Sequence, residues 1–389
     1  MIRSWSATAA RLLLPLLAVG WITSCDTPRK KALRELEAAQ IEVHGRSLME
    51  AAARGDSRIV RLLLTAGVHT EHADATGRTP LRITVDRGDL KTATILLEAR
   101  ADVHAATRDG ATPLGAAVAG GHVPLAAKLV KAGARADATM PGGEPVLPWA
   151  IRQGKREIVR AMLEAGADPH IRDLAGNPPL HVAMQAGHRD LAESLIALGA
   201  DPGALDGTGL SPVHLALRSG WTDLIRPLVA AGADPNAPDP AGLTPLFAAL
   251  RKGDAALCEL LLGCGADPNQ PGPEGAAPLA FVMARKDTAI LDALLTHSGP
   301  RKLPLAAISA AFPAAARTRW PEALDALAHA GADPDAPDAG GHTAAMIAFA
   351  ANDRATLRQI LRLGADPARR DRGGRLLLER AAAEGRVPL

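Results

Sequence analysis

Asp239-Pro240-Ala241-Gly242-Leu243-Thr244-Pro245-Leu246 reads as a turn that opens a helix. Asp and Gly make the tight turn, with Gly supplying a positive φ. Thr244 is the helix N-cap, and Pro245 takes the first helical position, where its missing N–H costs nothing. A short helix runs through Arg251 and Gly253 breaks it. A second helix carries Leu257, Leu260, Leu261 and Leu262. It stops at the C-cap Gly265, and Pro268 prevents continuation. The unit is therefore turn, short helix, loop, longer helix.

This unit recurs. Gly-Ala stands at 133, 166, 199, 232, 265, 331 and 364, at intervals of 33 or 66 residues. A first-helix column runs Leu48, Leu81, Leu114, Leu147, Leu180, Val213, Leu246, Leu279, Phe312, Ala345, Leu378 without insertion or deletion. A column three residues on is mostly Ala, from Ala51 to Ala381. One such unit cannot bury its own apolar stripe, but a stack of them can.

The pattern resembles the ankyrin repeat, whose first helix begins Thr-Pro-Leu-His. Thr79-Pro80-Leu81, Thr112-Pro113-Leu114 and Thr244-Pro245-Leu246 match its first three positions, and Pro179-Leu180-His181 its last three. The resemblance covers residues 46–389 and implies an all-α ankyrin-repeat solenoid of ten two-helix units. A terminal half-unit follows, with one helix near 375–384. Residues 300–312 lack the Asp-x-x-Gly turn and the Thr-Pro cap, with Ile308 where Gly belongs, so a reshaped finger and a weak interface are expected there. Residues 140–148 also lack a Thr cap; Pro148 would fall in the first helical turn. Pro28, Leu33, Leu36 and Ile41 predict an N-terminal capping helix within residues 25–45.

Composition agrees with thin helices packed closely. Of 389 residues, 47% are hydrophobic, yet Tyr is absent, Phe occurs four times and Trp five. So few aromatics count against single-stranded nucleic-acid binding, which needs stacking platforms. A formal net charge of +2 gives no phosphate-binding surplus. Three cysteines cannot form a disulfide framework. Cys258 and Cys264 stand in columns filled elsewhere by Val and Ala, as small core residues.

The first residues are of another kind. Arg3 and Arg11 precede an uncharged run, Leu12–Ile22, too short to span a bilayer. A basic start and a short apolar run are the signature of a secretion signal. The run ends Ile22-Thr23-Ser24-Cys25, which resembles a bacterial lipobox. That resemblance implies cleavage before Cys25, diacylation of its sulfur and anchoring in the bacterial cell envelope, facing the periplasm or exterior. Asp26 resembles an inner-membrane retention signal. A plain secretory signal, or a misplaced start on a cytoplasmic protein, are the alternatives. Removing residues 1–24 takes two arginines and no acid, leaving 42 basic and 42 acidic residues. The cluster Arg29, Lys30, Lys31 and Arg34 either rests on anionic lipid or is a solvated helix face.

No nucleophile elbow, zinc-protease motif, Walker loop or dinucleotide fingerprint is present. No catalytic residue, cofactor or small-molecule substrate is expected. His122 and His188 share a column after the interhelix Gly, and His181 and His214 hold the Leu-His position, so these four read as structural. His69, His72 and His104, near Glu71, Asp74 and Asp102, have two readings: a zinc site, or a polar ladder between fingers in the column of Asn236. Trp149 reads as core. Trp221 and Trp320 replace the interhelix His and read as half-exposed contact residues.

In the ankyrin family, partners contact the finger tips and the exposed end of the first helix. Two columns at that end contain Arg54, Arg87, Arg152, Arg218, Arg251, Lys252, Arg285 and Arg317 against the acids Asp86 and Glu384. A stripe of one sign steers an oppositely charged partner. Cations at a helix C-terminus also gain about 0.3–1 kcal/mol from the helix dipole, so folding alone can select them. The leading reading is a non-catalytic, lipid-tethered scaffold whose Arg218, Arg251, Lys252 and Arg285 bind an acidic protein segment, with Arg152, Arg317 and Trp221 beside them. The alternative is a periplasmic accessory or inhibitor that regulates a partner enzyme; catalysis by the array itself is a third class.

Overall fold

The computed structural model describes residues 27–297, 302–370, 374 and 376. Cys25, the lipobox and the expected terminal helix near 375–384 lie outside the described residues. Described residues fall into two compact bodies, one ending at Ala175 and one beginning at Gly176. No described helix is long and apolar enough to cross a membrane.

The first body opens with the helix Pro28–Ala38, started by the Thr27 cap. Leu36 and Ala32 are buried against the helix Ser57–Ala66, while Arg29 Nε donates to the Ala66 carbonyl at 3.1 Å. The expected capping helix is therefore present, and one member of its basic cluster closes the C-terminus of the neighbouring helix. Units one to four follow, and units five to ten form the second body. Each body is an all-α stack in which first helices pack on first helices and second on second.

The seventh unit shows why the sequence folds this way. Thr244 Oγ1 accepts the Phe247 N–H at 3.2 Å, and the first helix runs Pro245–Lys252. Gly253 ends it in the left-handed region (φ 73), which a Cβ would strain. Asp254 caps the second helix, Ala255–Gly263, through the Leu257 N–H at 3.0 Å. The apolar columns are the core: Leu246, Ala249, Leu250, Leu257, Cys258 and Leu261 are all buried. Burial, and then nearby carboxylates, push the Cys258 thiol up to about 12.

The irregular units have local causes. In unit six, Pro227 lacks a donor, and a 3-10 turn, Thr222–Leu224, precedes the shortened helix Ile225–Ala230. In unit four, Pro148 is the third residue of Val146–Arg152, where a missing N–H is tolerated. In unit nine the first helix is Leu305–Thr318, fourteen residues long, starting where other units turn. Lys302 holds the column position from which Asn236 accepts the Asp267 N–H at 2.7 Å, and an ammonium cannot accept. Ser309 takes over, its hydroxyl accepting the Asp333 N–H at 2.8 Å.

Two tryptophans differ from expectation. Trp149 is half-buried rather than core. Ile83, Ala116, Ala248 and Phe281 of its column are likewise only partly covered, whereas Val182 and Leu215 of the same column are buried. Trp320 is 4% exposed rather than half exposed. It joins the longest first helix to the next one, and turning inward takes more apolar surface out of water.

Candidate protein-binding face

The fingers at 74, 173, 206, 239 and 338 are organised by an aspartate. Asp239 Oδ1 accepts the N–H groups of Ala241 and Leu243 at 2.9 and 2.8 Å, which closes the turn. That leaves Oδ2 to face the first helix of the preceding unit. In unit four Arg152 Nη2 donates to Asp173 Oδ2 at 2.7 Å, and its Nη1 pairs with Glu144. In unit five Gln185 Nε2 donates to Asp206 Oδ2 at 3.1 Å. In unit nine Arg317 Nη2 donates to Asp338 Oδ2 at 2.6 Å. All three pairs span twenty-one residues in sequence. The His342 N–H, and then Arg317 despite partial burial, hold the Asp338 carboxyl below the usual carboxylate range.

The same column behaves differently in units six and seven. Arg218 and Arg251 are exposed and have no carboxylate partner among the described residues. For Arg251 the reason is in the sequence: the residue twenty-one places on is Gly272, not Asp.

The neighbouring column makes contacts between units. Lys252 Nζ donates to the Leu217 carbonyl at 3.0 Å, at the end of the preceding first helix. Arg285 Nη1 donates to the Arg251 carbonyl at 3.3 Å, and its guanidinium lies 5.5 Å from the Phe281 ring centroid. Outside that column, Lys155 Nζ donates to the Ala119 carbonyl at 3.4 Å. These cations satisfy last-turn carbonyls and sit at the negative end of the helix dipole. Arg218, Arg251 and Lys252 also line one hollow, whose walls are Leu210, Leu217, Leu243 and Leu257.

These units are turn-capped helix pairs repeating every 33 residues, and the family comparison agrees. A family model described as ankyrin repeats (three copies) matches residues 48–140, 83–173, 117–206 and 180–272, more than half of the chain. The chain belongs to the ankyrin-repeat family. Ankyrin repeats generally mediate protein–protein contacts, and proteins made of them are generally non-catalytic scaffolds. A search of curated proteins gives no match.

The ankyrin histidines are structural where they can be followed. His214 Nε2 meets the Leu243 carbonyl at 3.0 Å and its Nδ1 meets Ser211 Oγ at 2.9 Å. His181 Nε2 reaches the Leu210 carbonyl at 3.0 Å. Around His69, His72 and His104, no group of three or more His, Cys, Asp or Glu able to hold a metal occurs among the described residues. In the column of His104 and Asn236, Glu71 Oε1 accepts the Asp102 N–H at 3.0 Å, and Asp335 accepts that of Asp366 at 2.9 Å. Trp221 is half-buried, three residues beyond Arg218.

Sequence reading missed the pairing of groove residue with finger aspartate. The signal was present, because Arg or Gln at 152, 185, 218 and 317 each has Asp twenty-one residues later.

Proposed function

We propose that this ankyrin array is a protein-interaction scaffold whose first-helix ends in units six to eight bind an acidic segment of a partner protein. The observation that carries the reading is the contrast within one column. Arg152 and Arg317 are neutralised by the finger aspartate of the following unit, whereas Arg218 and Arg251 are exposed without a carboxylate partner among the described residues. Lys252 and Arg285 add positive charge beside them, each using one donor on a neighbouring carbonyl. Cations not paired with an internal carboxylate attract an external one, and the attraction weakens as salt screens it. Trp221 extends the face with an aromatic surface.

The anchor belongs to the same reading. Cys25 carries lipid and tethers the scaffold to a bacterial membrane, facing the periplasm or exterior. Its support is the lipobox-like Ile22-Thr23-Ser24-Cys25 after a short apolar run. Several acyl chains give durable anchoring where one is marginal.

A photo-crosslinking amino acid at Ser219, beside Arg218, tests the face in intact membranes. A control position is Arg226 on the second helix of the same unit. The reading requires cross-links from 219 to an acidic stretch of a partner and none from 226. Equal cross-linking from both positions contradicts it. Cys25→Ser must abolish palmitate incorporation and release the protein from membranes; unchanged association removes the anchor.

A further inference from the structure

The hollow in units six and seven carries more than charge. Its volume is about 330 Å³, at the lower end for ligand sites and ample for one aliphatic side chain. Leu210, Leu217, Leu243 and Leu257 make its walls apolar. The one ring among its lining residues, His214, has both nitrogens engaged, by the Leu243 carbonyl and by Ser211 Oγ. No unsatisfied imidazole nitrogen therefore waits inside for a polar occupant. Arg218, Arg251 and Lys252 also line it, with Asp239 as the acid among them. Asp239 already spends Oδ1 on two backbone N–H groups.

Arg251 is the arginine of its column with no aspartate twenty-one residues on, and the absence is built in. A Cβ on Gly272 would lie 2.4 Å from Cδ2 of Phe247, whose ring is buried there. An aspartate at 272 cannot be accommodated while Phe247 keeps its place. The guanidinium that finds an internal partner at Arg152 and Arg317 is here left beside an apolar hollow.

We propose that this hollow is a specificity pocket for an acidic protein segment. It takes one aliphatic side chain, and the adjacent carboxylate of that segment occupies on Arg251 the place that finger aspartates hold in other units. This rests on the reading that the cationic face binds an acidic partner, and adds to it a requirement for an apolar residue among the acids. Charge complementarity selects the partner, because three cations outnumber the one acid among the lining residues. The leucine walls select the side chain, because burying an aliphatic group is favourable in proportion to its area.

The probe is a fluorescein-labelled heptapeptide, Gly-Glu-Asp-Leu-Asp-Glu-Gly, titrated with the full chain in mild detergent and followed by anisotropy. Two control peptides replace Leu by Ala, or all four acids by their amides. The leucine peptide is expected to bind at least tenfold tighter than the alanine peptide, and the amide peptide not at all. Ala248→Leu, which adds a side chain to the hollow's own lining, is expected to erase the leucine preference while salt-dependent binding of both acidic peptides persists. Equal affinity for the leucine and alanine peptides overturns the pocket, as does a preference that survives Ala248→Leu or no binding of the leucine peptide. Acidic peptides that bind Arg218→Glu/Arg251→Glu as well as wild type strike the underlying face instead, so the two failures are distinguishable.

Discussion

Gly272 stands where the fingers at 173, 206, 239 and 338 carry aspartate, and the ring of Phe247 fills the space a side chain there would need. Phe247 in turn packs on Phe281, ring centroids 5.0 Å apart. One aromatic contact between units seven and eight thus removes an internal carboxylate and leaves Arg251 for other use.

Gly272→Asp is expected to destabilise the protein by about 1–3 kcal/mol, because it overpacks a filled site. Adding Phe247→Leu should recover part of that loss and let the new carboxylate pair with Arg251. The double variant should then bind an acidic peptide more weakly than Phe247→Leu alone. Urea denaturation and anisotropy read the two effects, and a double variant with undiminished binding argues against Arg251 as the partner's carboxylate site.

Alanine substitutions down one column should rank by their partners. Asp173 has a side chain only 2% exposed, so Arg152→Ala takes the ion pair from a buried carboxylate and should cost about 1–3 kcal/mol. The Arg317–Asp338 pair is more exposed, and its loss should cost at most about 1 kcal/mol. Arg251→Ala should be close to neutral for stability. A large loss at Arg251 in thermal denaturation would mean that it serves the fold rather than a partner.

Much of this was readable before any coordinates. The 33-residue period, the Thr-Pro caps and the glycine after most helices fix their own local geometry, so the helices fall where residues such as Thr244, Pro245 and Gly253 put them. The finger-to-groove pairs lie twenty-one residues apart and on two different elements, so no helical or strand period marks them. Only column-by-column comparison links Arg317 to Asp338. The burial of Trp320 and the half-exposure of Trp149 depend on how a repeat position is covered by its neighbours, which residue type alone does not encode.

Acid should unfold the stack through its caps. Asp353 accepts the N–H and then the hydroxyl of Thr356, and these hold its carboxyl below the usual range. The folded value lies below that of the unfolded chain, near 4, so between the two the unfolded state binds more protons. The stabilisation is therefore present in full above about pH 5 and is lost as pH falls through the folded value. Asp353→Asn keeps a cap but does not titrate. Its melting temperature should fall less steeply than wild type between about pH 5 and 3 in calorimetry, and parallel curves would refute the assignment.

Unit nine should be the soft part of the second body. Its finger is replaced by a helix with Pro313 inside it, and Arg319 (φ 52) stands in the left-handed region where unit seven has glycine. A non-glycine residue there costs of order 1 kcal/mol. Amide hydrogen exchange should be faster over 305–362 than over 179–263. Ser309→Ala, which removes the acceptor for the Asp333 N–H, should widen the difference. Uniform protection in both proteins would contradict this.

The central claim is that Arg218, Arg251, Lys252 and Arg285 form an interface and are not merely helix-end cations. The direct measurement replaces all four by Glu and compares affinity for the acidic leucine peptide, its salt dependence and the melting temperature with wild type. An interface predicts that binding is lost in the variant and that wild-type affinity falls as salt rises. A lowered melting temperature with unchanged affinity and unchanged salt dependence would contradict the account, leaving the four cations a role in folding alone.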